Sequence, residues 1–230
     1  MALARAGSEH EFTAGGHTVP AYLAVPASRR GSGVLVVQEA WGLVDHVRDV
    51  CDRLAREGFV ALAPDLYRGR TAAGREEAAR LVAELDVDAA ARDLDGAVGE
   101  LLNQDATEGP KVGAVGFCMG GQLALLAGTR NRRIGAVVDF YGVHPQLELD
   151  LALLEAPVLA IFGDRDEFVS PDAVRALQAQ FEAAGKPATF RIQPDAGHAF
   201  MNDSRPDAYV AAAAVAGWDA MLAFLRAELA

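Results

Sequence analysis

Short runs of apolar residues alternate with longer stretches in which apolar positions recur every three or four residues, starting near residue 34. The short runs at 33–37, 59–63, 111–117, 134–140, 157–162 and 188–192 read as buried strands, the second of them closed by Pro64. Between them, Val47, Val50, Cys51 and Leu54 predict a helix from Asp45 that stops at Gly58. A helical region covers 75–103, with Leu81, Leu85, Leu94, Val98, Leu101 and Leu102 as its stripe and a break near Asp86. Ser170 followed by Pro171 marks a capped helix start running to Gly185, and an alanine-rich helix over roughly 207–228 closes the chain. Val19, Tyr22, Leu23 and Val25, set between glycine and proline, predict an antiparallel hairpin on one edge. Strands alternating with helices imply an α/β fold, a mostly parallel sheet of about eight strands covered on both faces, as a single domain over 1–230.

Composition narrows the function. With 51% apolar residues, the 230-residue chain can build one large core, and no uncharged stretch is long enough to span a membrane. Residues 1–10 carry no basic region followed by an apolar one, so no export signal is expected. Cys51 and Cys118 are then expected as free thiols in a reducing cytoplasm. A net charge of −11 excludes a nucleic-acid partner, and an anionic substrate would need local arginines working against the overall field. The glycines at 113–121 do not spell a dinucleotide fingerprint, and no His, Cys and carboxylate spacing matches a zinc site. The expectation is a monomer with no cofactor, no metal and no membrane contact, acting on a small molecule.

In such a sheet, chemistry gathers just beyond the carboxyl ends of the strands. Those ends here are Gln38-Glu39-Ala40-Trp41, Asp65-Leu66-Tyr67, Cys118, Tyr141, Gly163-Asp164-Arg165-Asp166 and Gly197-His198. Gly116-Phe117-Cys118-Met119-Gly120-Gly121 joins a strand to a helix through a glycine-flanked turn, the layout of a nucleophile elbow with cysteine as the nucleophile. Small residues two before and two after the cysteine leave room for the crowded chain, and the first amides of the helix favour a thiolate and a developing oxyanion.

A thiol needs a base, and the base needs an orienting acid. The order nucleophile, acid, histidine is present as Cys118, an aspartate at 164 or 166 with Asp166 preferred, and His198. His10, His17, His46 and His144 fall at the wrong places in that order. Met119 N–H and Ala40 N–H are the expected oxyanion donors. Glu39 reads either as a cap for the following helix or as a second acid/base group facing the thiol. Trp41, Tyr67 and Tyr141 are candidate pocket walls, and Cys51, on a helix's apolar stripe, reads as core.

Val36-Val-Gln-Glu-Ala-Trp-Gly-Leu-Val-Asp-His-Val-Arg-Asp49, Ala63-Pro-Asp-Leu-Tyr67, the elbow, Asp139-Phe-Tyr-Gly142 and Gly197-His-Ala-Phe200 together resemble the dienelactone hydrolase (carboxymethylenebutenolidase) family across nearly the whole chain. The resemblance implies a compact α/β-hydrolase fold without a large lid, opening dienelactone (4-carboxymethylenebut-2-en-4-olide) or a similar activated lactone by acyl transfer to cysteine. It implies Cys118 as nucleophile, His198 as base, Asp166 as its acid, and Glu39 as the carboxylate that takes the thiol proton once substrate displaces it. The family's substrate-binding arginine four residues after the histidine is here Asn202, with Arg205 lying further on. A second arginine is sought among Arg70, Arg75 and Arg80, with Arg75 or Arg80 preferred. The other readings are a hydrolase of a different small ester or thioester, and a non-catalytic binder or thiol sensor on the same fold.

Overall fold

A computed structural model describes residues 6–142, 144 and 147–230. The first five residues, part of the segment read for an export signal, lie outside the described residues. Eight strands form one sheet in the order β1-β2-β4-β3-β5-β6-β7-β8. β3 (Gly31–Val37), β4 (Val60–Pro64), β5 (Thr107–Phe117), β6 (Ile134–Phe140), β7 (Val158–Gly163) and β8 (Ala188–Gln193) run parallel. β1 (Gly7–Ala14) and β2 (His17–Ala24) form the antiparallel hairpin at one edge, with β2 paired antiparallel to β4. Every residue of β4, β6 and β7 is buried, which is why these segments read as unbroken apolar runs and not as alternating ones.

The helices are α1 (Asp45–Arg56), α2 (Arg75–Glu84), α3 (Val87–Asn103), α4 (Met119–Arg130), α5 (Pro171–Ala183) and α6 (Ala211–Glu228). Neighbouring residues of β6 show that both faces are covered. Val137 meets α4 at Gly128, whereas Phe140, on the opposite face, meets α6 at Gly217. The helical stretch at 75–103 is two helices, because the Asp86 side chain accepts the amides of Asp88 and Ala89 and starts α3 anew. Ser170 caps α5 through the Ala173 amide, with Pro171 in the first position.

Two element starts differ from expectation by four residues. β5 begins at Thr107, four residues early. The closing helix begins at Ala211, because residues 199–210 form successive turns instead: Asn202 N–H donates to Ala199, Arg205 N–H to Asn202, and Val210 N–H back to Phe200. Those turns carry the chain across the carboxyl end of the sheet. Among the described residues, no helix is long and apolar enough to cross a membrane.

Candidate active site

Local sterics build the site first. β5 ends at Phe117, and Cys118 turns the chain into α4 with φ of 55° and ψ of −127°. That positive φ is uncommon for a residue with a Cβ and persists only where the surroundings impose it. The surroundings here are two close backbone approaches. A Cβ on Gly116 would collide with the Gly120 carbonyl, and one on Gly120 would collide with the carbonyls of Val37 and Gln38. The Cys118 amide is tied to the Phe140 carbonyl at 3.0 Å, which anchors the turn to β6. Met119 is the first residue of α4, so its N–H has no helical acceptor and points out of the helix start beside the thiol.

The loops after β7 and β8 bring the next two groups together. Asp166 Oδ1 accepts the amides of Phe168 (2.8 Å) and Val169 (2.9 Å), fixing its own loop, while Oδ2 pairs with His198 Nδ1 at 2.9 Å. Asp164, the other candidate, is exposed. Burial disfavours the His198 imidazolium. Hydrogen bonds to Asp166 and Cys118, and the charges of both, outweigh burial and push His198 up to about 10. A half-buried histidine set between a carboxylate and a thiol is equipped to donate a proton and then take one back.

Glu39 follows β3 and is 1% exposed. Its Oε2 accepts from Asn202 Nδ2 at 2.8 Å, and its Oε1 faces the Tyr141 hydroxyl at 3.4 Å. It caps no helix, since α1 begins at Asp45 with no side-chain cap. Burial, and then the neighbouring Glu39 and Cys118, hold the Tyr141 hydroxyl well above its ordinary value, so it stays a proton donor. The Tyr141 ring also lies 5.0 Å from the His198 ring, so one aromatic side chain lies against both the Glu39 carboxylate and the imidazole.

Beyond these groups lies a cavity of about 590 Å³. Cys118 and His198 open onto it beside Ala40, Trp41, Phe168 and Arg205. Arg75 is on its wall, 3.9 Å from Asp207. Four positions expected at the substrate-binding site lie elsewhere. Tyr67 is buried with its hydroxyl 3.2 Å from the Met119 sulfur, behind the elbow. Tyr141 and Asn202 are turned toward Glu39. Arg80 pairs with Glu77 and Glu84 on the outer surface of α2.

Two wall residues carry no local signal in the sequence. Arg205 stacks over the Trp41 ring at 5.3 Å and pairs with Asp207 at 3.0 Å. It lies too far from His198 along a helix, but the turns at 199–210 fold it back. Phe168 is 64% exposed, with its ring 4.9 Å from His198, an apolar surface at the mouth of the cavity. Among the described residues, no group of three or more His, Cys, Asp and Glu side chains could hold a metal.

An eight-stranded, mostly parallel sheet whose central strand turns through a glycine-flanked elbow into a helix is the α/β-hydrolase architecture. The model of the dienelactone hydrolase family matches residues 19–229. The chain is 33% identical to protein usf of Aquifex pyrophilus, covering 97% of this chain and 99% of that one. It is 32% identical, with the same coverage, to an Aquifex aeolicus (strain VF5) protein provisionally named a carboxymethylenebutenolidase. The structure of a dienelactone hydrolase-like promiscuous phosphotriesterase from metagenomic libraries superposes with a TM-score of 0.86 at 25% identity, covering 97% of this chain and 98% of that one. The chain belongs to the dienelactone hydrolase family, and it is a hydrolase.

Proposed function

We propose that the protein opens dienelactone, or a similar small activated lactone or ester, through an acyl-enzyme on Cys118. The observation that carries this reading is the strained Cys118 turn sharing one cavity with a His198 whose Nδ1 is held by Asp166 at 2.9 Å. Glu39 takes the Cys118 proton as substrate enters. The thiolate attacks the lactone carbonyl, and the resulting oxyanion lies between the amides of Met119 and Ala40. When the ring C–O bond breaks, the departing enolate keeps the electron pair and receives the proton of the His198 imidazolium. The neutral imidazole then takes a proton from water, hydroxide attacks the thioester, and the thiolate leaves and recovers its proton from Glu39. The net change is lactone plus water to the open acid. A conjugated enolate is a good leaving group, so a thiol suffices where an unactivated ester would demand more.

Arg205 and Arg75 suit an anionic group on the substrate, because Asp207 already lies against both of them. Both cysteines are free, which fits thiol chemistry in a reducing compartment such as the cytoplasm. The test is the loss of ultraviolet absorbance when the protein meets cis- and trans-dienelactone, with Cys118→Ala as control. Turnover that vanishes in the variant is the expected result. Hydrolysis of p-nitrophenyl esters without lactone turnover would keep the acyl-enzyme and reassign the substrate. Undiminished turnover by Cys118→Ala would overturn the proposal.

A further inference from the structure

Asn202 stands where an arginine would be a substrate clamp, yet its side chain does not reach the cavity. It is 1% exposed and donates through Nδ2 to Glu39 Oε2 at 2.8 Å. An amide turned the other way would set its oxygen against the carboxylate, acceptor to acceptor. Ser204 excludes that arrangement. Its N–H at 3.1 Å and its hydroxyl at 2.5 Å both donate to Asn202 Oδ1, so only Nδ2 is left to face Glu39. The Asn202 backbone is held as well, by its N–H on the Ala199 carbonyl one residue past His198. The base loop and the Glu39 contact are thus parts of one turn.

We infer that Asn202, locked in orientation by Ser204, is a positioning residue that holds the buried Glu39 carboxylate ready to accept the Cys118 proton. The inference rests on the reading of Glu39 as that acceptor. Without the amide, the side-chain donor left to Glu39 among the described residues is the Tyr141 hydroxyl, at a long 3.4 Å. A buried carboxylate that loses a strong donor binds a proton more readily and becomes a poorer acceptor at low pH. An arginine in this place would bring a charge that an anionic substrate could compete for. A neutral amide leaves Glu39 indifferent to the charge of the substrate. Among the described residues, the other titratable groups about the Tyr141 ring that faces Glu39 are Cys118 and His198, and the side-chain bonds of Asn202 go to Glu39 and Ser204.

The test is kcat/KM for p-nitrophenyl acetate between pH 5 and 9 in Asn202→Leu, Ser204→Ala, Glu39→Gln and the double variant Glu39→Gln/Asn202→Leu. Displacing the acid limb by one pH unit is about a tenfold change at fixed pH on that limb. Asn202→Leu is expected to lose about tenfold at pH 6 and to converge to within about twofold at pH 9, with KM altered less than about twofold. Ser204→Ala, an exposed position that preserves the fold, should shift in the same direction by about two- to threefold. In the Glu39→Gln background, Asn202→Leu should add no pH-dependent loss. A uniform loss at every pH, or wild-type profiles in Asn202→Leu and Ser204→Ala while Glu39→Gln departs, would overturn the inference and leave the role of Glu39 intact. A wild-type profile in Glu39→Gln would remove both.

Discussion

The two cysteines of this chain face opposite environments. Cys51 lies within α1, fully buried against the sheet, and burial, followed by the charge of Asp52, pushes its thiol far up. Cys118 stands at the start of α4 in a strained turn, half-buried, sharing a cavity with His198. Residue type is the same, so the difference comes from backbone and neighbours: a helix interior supplies apolar contact, whereas a strand-to-helix turn supplies free amides, a base and access. The proposed reactivity of Cys118 is a property of the place.

The largest effect should come from exchanging each thiol for a methyl group. Cys118→Ala is expected to lower dienelactone turnover by about 10³-fold or more, since nothing else at the elbow replaces the attacking atom. Cys51→Ala should leave kcat/KM within about twofold and cost on the order of 1 kcal/mol in urea unfolding. Iodoacetamide should label Cys118 at least about a hundredfold faster than Cys51 in the native protein, and both alike in urea. Equal native labelling would break the contrast.

Next in size is Asp166→Asn. It preserves an acceptor for the amides of Phe168 and Val169 but removes the charge opposite His198. Turnover should fall by about 10²- to 10³-fold, and alkylation of Cys118 should slow with it, because the His198 ring beside the thiol loses the carboxylate that orients it. Slowed turnover with unchanged alkylation would detach the thiol's environment from Asp166.

What was legible in the sequence shares one property: it rests on local chemistry or on strand order. Asp86 is visible as a break because a carboxylate that accepts two amides starts a helix wherever it stands. The elbow is visible because its glycines must lie next to the residue they accommodate. Asp166 and His198 are found at strand ends because parallel strands put successive loops on one side of the sheet. Arg205, Phe168 and the true neighbour of Asn202 are not local in this sense. Asn202 and Glu39 are 163 positions apart and meet only after the turns at 199–210 cross the sheet. Reading 207–210 as helix hid that crossing, and with it the wall on which Arg205 stands. Tyr67 and Tyr141 were visible at strand ends, but which way an aromatic ring turns depends on packing that no spacing reports.

The smallest effect on turnover, and the sharpest test of what burial alone does, concerns Asp139. It lies on β6 beneath the elbow, wedged so closely between the α4 turn and the next loop that a Cβ on Gly121 or Gly142 would strike its carboxyl group. Among the described residues, neither oxygen finds a hydrogen-bond donor of ordinary geometry. Burial therefore dominates, the Gly142 amide and the charge of His198 oppose it only in part, and the carboxyl is raised to about 7. What isolates Cys51 thus also acts on an acid, just below the Cys118 turn. In the unfolded chain Asp139 loses its proton near pH 4, while the folded protein keeps it to about pH 7. Over that window the folded state binds more protons, so its stability falls as pH rises, and the full penalty is present above pH 7. Asp139→Asn keeps the shape and abolishes the titration. Its stability relative to wild type should increase by roughly 2–3 kcal/mol between pH 5 and pH 8 in urea unfolding, with turnover at pH 7 changed by less than about threefold. Parallel stability curves for the two proteins would mean that the carboxyl ionises freely in the fold, and that burial does not rule beneath the elbow as it does in α1.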